Sequence, residues 1–167
     1  MAACSRRSPT IRADSDEANA PMTGPESPPI GTAIDHARNA LGIDGGQPVR
    51  SWSVARMQPG ARGYLLVVFG PPQCASGIAA VDPSSDEVLE AARLPGSAPH
   101  ALLTAEEAMQ RAGFGPDTQS RLVWDPTPAS QSMFYPLWEL RHAGRRVWVD
   151  SVRGEVRTTL EAARGGG

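Results

Sequence analysis

The chain has 167 residues, enough for one ordinary domain or two small ones packed together. About 40% of them are apolar, so a core is affordable, yet 16 prolines and 17 glycines require that part of the chain be irregular. A formal charge of −2 excludes a global attraction to nucleic acid and the basic bias of an anionic-membrane binder. Every basic residue other than histidine is arginine; a GC-rich genome explains that choice without assigning phosphate ligands. No apolar run approaches the roughly 18 residues that a bilayer-spanning helix needs.

In chain order, the first feature is Met1-Ala2-Ala3-Cys4-Ser5. It resembles the end of a bacterial lipoprotein signal peptide, in which small residues precede a cysteine whose thiol carries diacylglycerol. The basic start and apolar stretch of such a peptide do not precede it, so either the true start lies upstream and the protein is expected in the cell envelope, or the match is chance and the location is cytoplasmic. Residues 5–29 are rich in Ser, Pro, Ala and charged residues and read as a tether that cannot bury enough surface to offset its ordering entropy.

Ile30 to Gly42 carries Ile34, Ala37 and Leu41 on one helical face, with Thr32 and Asp35 spaced as a capping-box variant. Strands follow at Val49–Met57, Tyr64–Phe69, Gly77–Asp82 and Glu87–Leu94, the last of which also admits a helical turn. Leu103 to Gly113 is a second helix, with a full capping box in Thr104 and Glu107. It is followed by strands at Ser120–Trp124, Phe134–Arg141, Arg145–Asp150 and Glu155–Leu160. Residues 162–167 form a fraying tail.

This order is stated twice. Val81-Asp82-Pro83-Ser84-Ser85-Asp86-Glu87-Val88 aligns without gaps on Val149-Asp150-Ser151-Val152-Arg153-Gly154-Glu155-Val156, at an offset of 68 residues. A fixed period sets architecture before any single motif does. The expectation is an α+β fold of two helix-plus-antiparallel-sheet units, residues 30–96 and 97–161, that share a core or continue one another's sheet.

The second unit, with its Thr-x-x-Glu-Ala helix start, Tyr135-Pro136-Leu137-Trp138, Val147-Trp148-Val149-Asp150 and Gly154-Glu155-Val156, resembles the PepSY domain. The first unit departs from that pattern: Asp86 replaces the turn glycine, and its middle strand lacks the aromatic-Pro-x-Trp signature. The resemblance implies a non-catalytic module of secreted or membrane-anchored bacterial proteins, with protein contact or peptidase inhibition as its role. It supplies no catalytic residues.

The residues themselves support no cofactor, metal or catalytic set. His36, His100 and His142 lack ligand spacing. Gly42 to Gly46 lacks a phosphate-loop pattern. Asp82 and Asp150 read as acceptors for turn N–H groups. The four tryptophans are core candidates first, with one or two left on an open sheet face as a partner site. The candidate interaction surface is Trp138, Trp148, Arg145 and Arg146, and Cys4 is the candidate lipidation site. The expected function is a non-enzymatic cell-envelope protein that binds a protein or peptide, touching the membrane only through a lipid anchor. The alternative is a small cytosolic α+β enzyme or ligand-binding protein with a pocket between the units, anchored by Cys74 or Asp150. An unpaired Cys74 would be unusual in an oxidising compartment.

Overall fold

A computed structural model describes residues 30–96 and 99–160; Cys4, the tether and the tail lie outside them. The fold is α+β, with two helices and one eight-stranded sheet. Helix α1 (Ile30–Leu41) precedes β1 (Val49–Arg56), β2 (Tyr64–Phe69), β3 (Gly77–Val81) and β4 (Val88–Arg93). Helix α2 (Ala105–Ala112) precedes β5 (Gln119–Trp124), β6 (Leu137–His142), β7 (Arg145–Asp150) and β8 (Val156–Arg157). The strand order is β4-β3-β2-β1-β5-β6-β7-β8. Each half is an antiparallel meander, and the halves join where β1 and β5 run parallel through Ala55↔Val123 and Arg56↔Trp124.

The sequence places each helix start differently. Thr104 caps α2 as expected: its hydroxyl accepts from the Glu107 N–H at 3.2 Å, and the Glu107 carboxylate accepts from the Thr104 N–H at 2.7 Å. Thr32, by contrast, lies inside α1, which is already helical at Ile30. Asp35 pairs with Arg38 instead of reaching back, so the capping-box expectation there is corrected. Strand β4 resolves the helix-or-strand ambiguity in favour of a strand. The expected strand from Phe134 begins only at Leu137, because Met133 and Phe134 leave the sheet plane to cover a core.

Strand alternation assigns the faces. Leu65, Val67, Phe69, Ala79 and Val81 pack under Ala33, Ala37 and Leu41 of α1. Their neighbours Tyr64, Leu66, Val68, Ile78 and Ala80 point to the other face and share a core with Leu122 and Trp124 of β5. Trp138 pairs directly with Leu122 and so lies on that same face, where Leu140, Val147 and Val149 carry Ala108 of α2. The two helices therefore sit on opposite faces of one continuous sheet. The relation between the halves is that of an approximate two-fold axis running along the strands: it keeps strand direction, reverses strand order and exchanges the faces.

The turns confirm the correspondence in hydrogen bonds. Asp82 N–H donates to Glu87 O at 2.8 Å and Asp86 N–H to Asp82 O at 2.9 Å; at the offset positions, Asp150 N–H donates to Glu155 O and Gly154 N–H to Asp150 O, both at 2.9 Å. The carboxylates of Asp82 and Asp150 accept turn N–H groups, from Ser84 and from Val152 and Arg153 respectively. Gly154 has φ +75°, and Asp86 adopts the same left-handed region at φ +57° despite its side chain. A left-handed non-glycine residue costs roughly 1 kcal/mol, partly offset by the extra unfolded-state entropy of glycine. Asp86→Gly is expected to raise stability by about 0.5 kcal/mol, read as a higher denaturant midpoint at unchanged slope. An unchanged or lower midpoint would mean that the Asp86 side chain stabilises the turn.

Candidate functional site

The face of β5–β8 turned away from α2 is where the second half parts from the first. Two rows cross its strands. Arg121, Glu139, Trp148 and Arg157 lie opposite one another in succession, and beside them run Gln119, Arg141 and Arg146. By pairing register, Glu139 occupies the place of Leu66, Arg141 that of Val68, Arg146 that of Ile78 and Trp148 that of Ala80. In the first half those four side chains are buried and apolar, beneath a cover that includes Leu102, Met133 and Phe134. In the second half the same positions are charged or amphipathic, and Glu139, Arg141 and Arg146 line open depressions.

Glu139 organises this face. Its side chain is 0% exposed, yet three arginines hold it: Arg121 Nε at 2.6 Å, Arg141 Nη2 at 2.8 Å, and Arg146 Nε. Burial alone would raise its pKa; the hydrogen bonds from Arg141 and Arg121 and the nearby positive charges outweigh that and leave it below the usual value. The three arginine side chains remain 52%, 49% and 45% exposed, and a guanidinium has five N–H donors, more than its contacts with the carboxylate use. Arg146 also lies over the Trp148 ring, 4.7 Å from its centroid. Arg157 pairs with the exposed Glu155 at 2.7 Å.

A cleft of about 280 Å³ is lined by Gln119, Ser120, Arg121, Glu139 and Arg141. A second, of about 490 Å³, lies alongside between the Asp117 loop and the β6–β7 turn, lined by Arg141, Arg145 and Arg146 among others. Both are open depressions lined largely by polar side chains.

The four residues read from the sequence as an interaction surface divide between the faces. Trp148 and Arg146 stand on the open one. Trp138 is on the α2 face, half-buried, with its indole N–H donating to Leu103 O at 2.9 Å. Arg145 lies over the Phe114 ring at 5.2 Å, also beside α2. Sequence reasoning missed Glu139, Arg121 and Arg141. The available signal was alternation: Arg121, Glu139 and Arg141 are polar at positions whose neighbours Leu122, Trp138 and Leu140 are apolar, and the offset to the first half would have shown the substitution for an apolar set.

The residues of the alternative reading are placed elsewhere. The Asp150 carboxylate is occupied by its own turn. Cys74 is exposed on the β2–β3 loop. The seam between the halves is filled by Val54, Tyr64, Leu122, Trp124, Met133 and Phe134, with the Tyr64 and Trp124 rings edge-on at 6.2 Å and the Tyr64 hydroxyl donating to Met133 O at 2.6 Å. Among the described residues no three His, Cys, Asp or Glu side chains gather as a metal site, and no helix is long and apolar enough to cross a membrane.

His36 is exposed and His142 half-buried, whereas His100 is buried, 6% exposed, with Nε2 unpartnered among the described residues and its carbonyl accepting from Arg50 at 3.0 Å. Burial, then the Arg50 charge, lowers its pKa. Because the unfolded chain takes up this proton first, the stability due to neutral His100 is complete above about pH 6.5 and is lost as pH falls through the lower folded value. His100→Gln is expected to flatten the stability profile just below pH 6.5; a profile of unchanged slope would contradict the assignment.

A scan of protein-family models finds no match to this chain, and a search of curated proteins finds none. Among solved structures the chain is similar to one from Clostridium difficile 630 described as a "putative lipoprotein". The identity is 14% and the TM-score 0.33, with 84% of this chain and 97% of that one covered. At that score the likeness carries no weight in the reading of the site.

Proposed function

We propose that the protein is a non-catalytic binding module of the bacterial cell envelope, built from two PepSY-like units, in which the first unit is scaffold and the second displays the working surface. The observation that carries this reading is the exchange of Leu66, Val68, Ile78 and Ala80 for Glu139, Arg141, Arg146 and Trp148 on one shared chain path. A sheet face needed only for stability would be made apolar and covered, as it is in the first half. Keeping a carboxylate out of water costs several kcal/mol that its ion pairs must offset, and the offset here leaves a row of arginines facing solvent. Arginine and tryptophan are the side chains most enriched where proteins bind proteins. The envelope location rests on the resemblance of Met1-Ala2-Ala3-Cys4 to a lipoprotein cleavage site, and diacylglycerol on Cys4 in a mass spectrum of the N-terminal peptide would support it.

The test is a photo-activated crosslinking residue placed in the full chain, in the bacterium that makes it. At Arg121 or Arg157 a discrete adduct with a second protein is expected, and at Glu106 on α2 none. Adducts at Glu106 alone, or at no position, would remove the open face as the working surface.

A further inference from the structure

The charge and spacing on the open face point to its ligand, and the inference rests on the reading above. The face presents four guanidinium groups, from Arg121, Arg141, Arg146 and Arg157, against the carboxylates of Glu139 and Glu155, with Asp117 at the rim. Glu139 sits between its three arginines and takes their inward N–H groups, so the centre of the patch is already occupied by a negative charge. A single compact anion placed there would meet that carboxylate.

Arg121 and Arg157 end one row that crosses β5, β6, β7 and β8. Three interstrand steps put their backbones about 14 Å apart. An extended peptide rises about 3.4 Å per residue and presents alternate side chains to one side, so residues i and i+4 span the same distance. Residue i+2 then falls between Glu139 and Trp148, where a charge of either sign is disfavoured over an apolar side chain that can lie against the indole. Among the described residues the ion-pair partner of Arg157 is Glu155, an exposed pair that a ligand carboxylate can replace at little cost.

We infer that the open face of β5–β8 binds an extended acidic protein segment whose two carboxylates stand four residues apart, flanking an apolar residue. The arginines bind the carboxylates through charge-assisted hydrogen bonds, and Trp148 contacts the central side chain. Such a segment lies across the strands, not along an edge.

The experiment is calorimetric titration of the protein, residues 1–167, with two end-blocked peptides of equal composition. One is Ser-Glu-Ser-Leu-Ser-Glu-Ser, and the other is Ser-Ser-Glu-Glu-Leu-Ser-Ser. The first is expected to bind about tenfold more tightly than the second, as loss of one charge-assisted contact implies. Arg157→Gln, which leaves the Glu139 cluster intact, is expected to weaken the first by a similar factor, and Arg145→Gln on the other face to leave it unchanged. Equal affinity for the two peptides, or indifference to Arg157→Gln, overturns the inference. Arginine-dependent binding of pyrophosphate or phosphatidylglycerol vesicles with no binding of either peptide also overturns it. That last result leaves the open face itself standing, whereas crosslinks confined to α2 remove the face whatever the peptides do.

Discussion

Leu66→Glu is expected to prevent the protein from folding at neutral pH. Leu66 is 0% exposed in the middle of β2, among Val54, Tyr64, Val68 and Ala80 on the covered face. A carboxylate there has no arginine opposite it, because its register partners are Trp52 and Ala80. Burying an unpaired charge costs more than about 4 kcal/mol, against a total stability on the order of 5–15 kcal/mol for a domain. Circular dichroism and soluble yield measure the outcome. A cooperative melt near that of the unsubstituted protein would show that the first half's face is not packed as described.

Glu139→Leu, the reciprocal change, is expected to keep the fold and lose about 2 kcal/mol. The substitution removes a carboxylate that three arginines hold, but those arginines are half-exposed and can rehydrate. It therefore costs less than the 3–5 kcal/mol typical of a fully buried pair broken on one side. The pH profile separates this from a packing effect. Because the folded-state pKa of Glu139 is lowered, its contribution is complete above the unfolded value of about 4.3 and is lost as pH falls through the folded one. The deficit of Glu139→Leu relative to the parent should then be largest at neutral pH and shrink under acid. A deficit independent of pH would assign the loss to shape alone.

The contrast between these two substitutions restates the design of the molecule. One face of each half carries a helix, and at the helix-facing positions both halves are apolar: Leu65 and Val67 correspond to Trp138 and Leu140, and Ala79 and Val81 to Val147 and Val149. The opposite face is free to differ. In the first half, loop residues Leu102, Met133 and Phe134 cover it. In the second half, among the described residues, it carries arginines whose side chains stay about half exposed.

Much of this was legible in the sequence. The 68-residue offset fixed the repeated order of elements, and Thr104 with Glu107 located α2 because a capping box is a local signal that packing does not override. Thr32 misled because helix α1 continues through it from Ile30, and a Thr-x-x-Asp spacing alone does not say which residue leaves helical φ and ψ. Phe134 misled for a tertiary reason: an aromatic beside a strand pattern is as useful in capping a neighbouring core as in extending the strand. The candidate face was legible in part. Trp148 and Arg146 were readable from aromatic and charged content, but Trp138 and Arg145 were assigned with them because adjacent strand residues point to opposite faces and the face covered by α2 is not written in one strand. Glu139 was missed because a lone acid in a strand looks like a solvated residue until its cross-strand partners are known.

The most direct measurement is an NMR map of the arginine Nε–H, indole N–H and backbone amide signals of the protein as the Glu-Ser-Leu-Ser-Glu peptide, or a partner recovered by crosslinking, is added. Shifts should gather at Arg121, Arg141, Arg146, Trp148 and Arg157 and spare Arg111, Trp138 and the β4 edge. Shifts centred on α2 or along Val88–Arg93, with the arginine signals unmoved, would contradict the proposal that the open face of the second half is the binding surface.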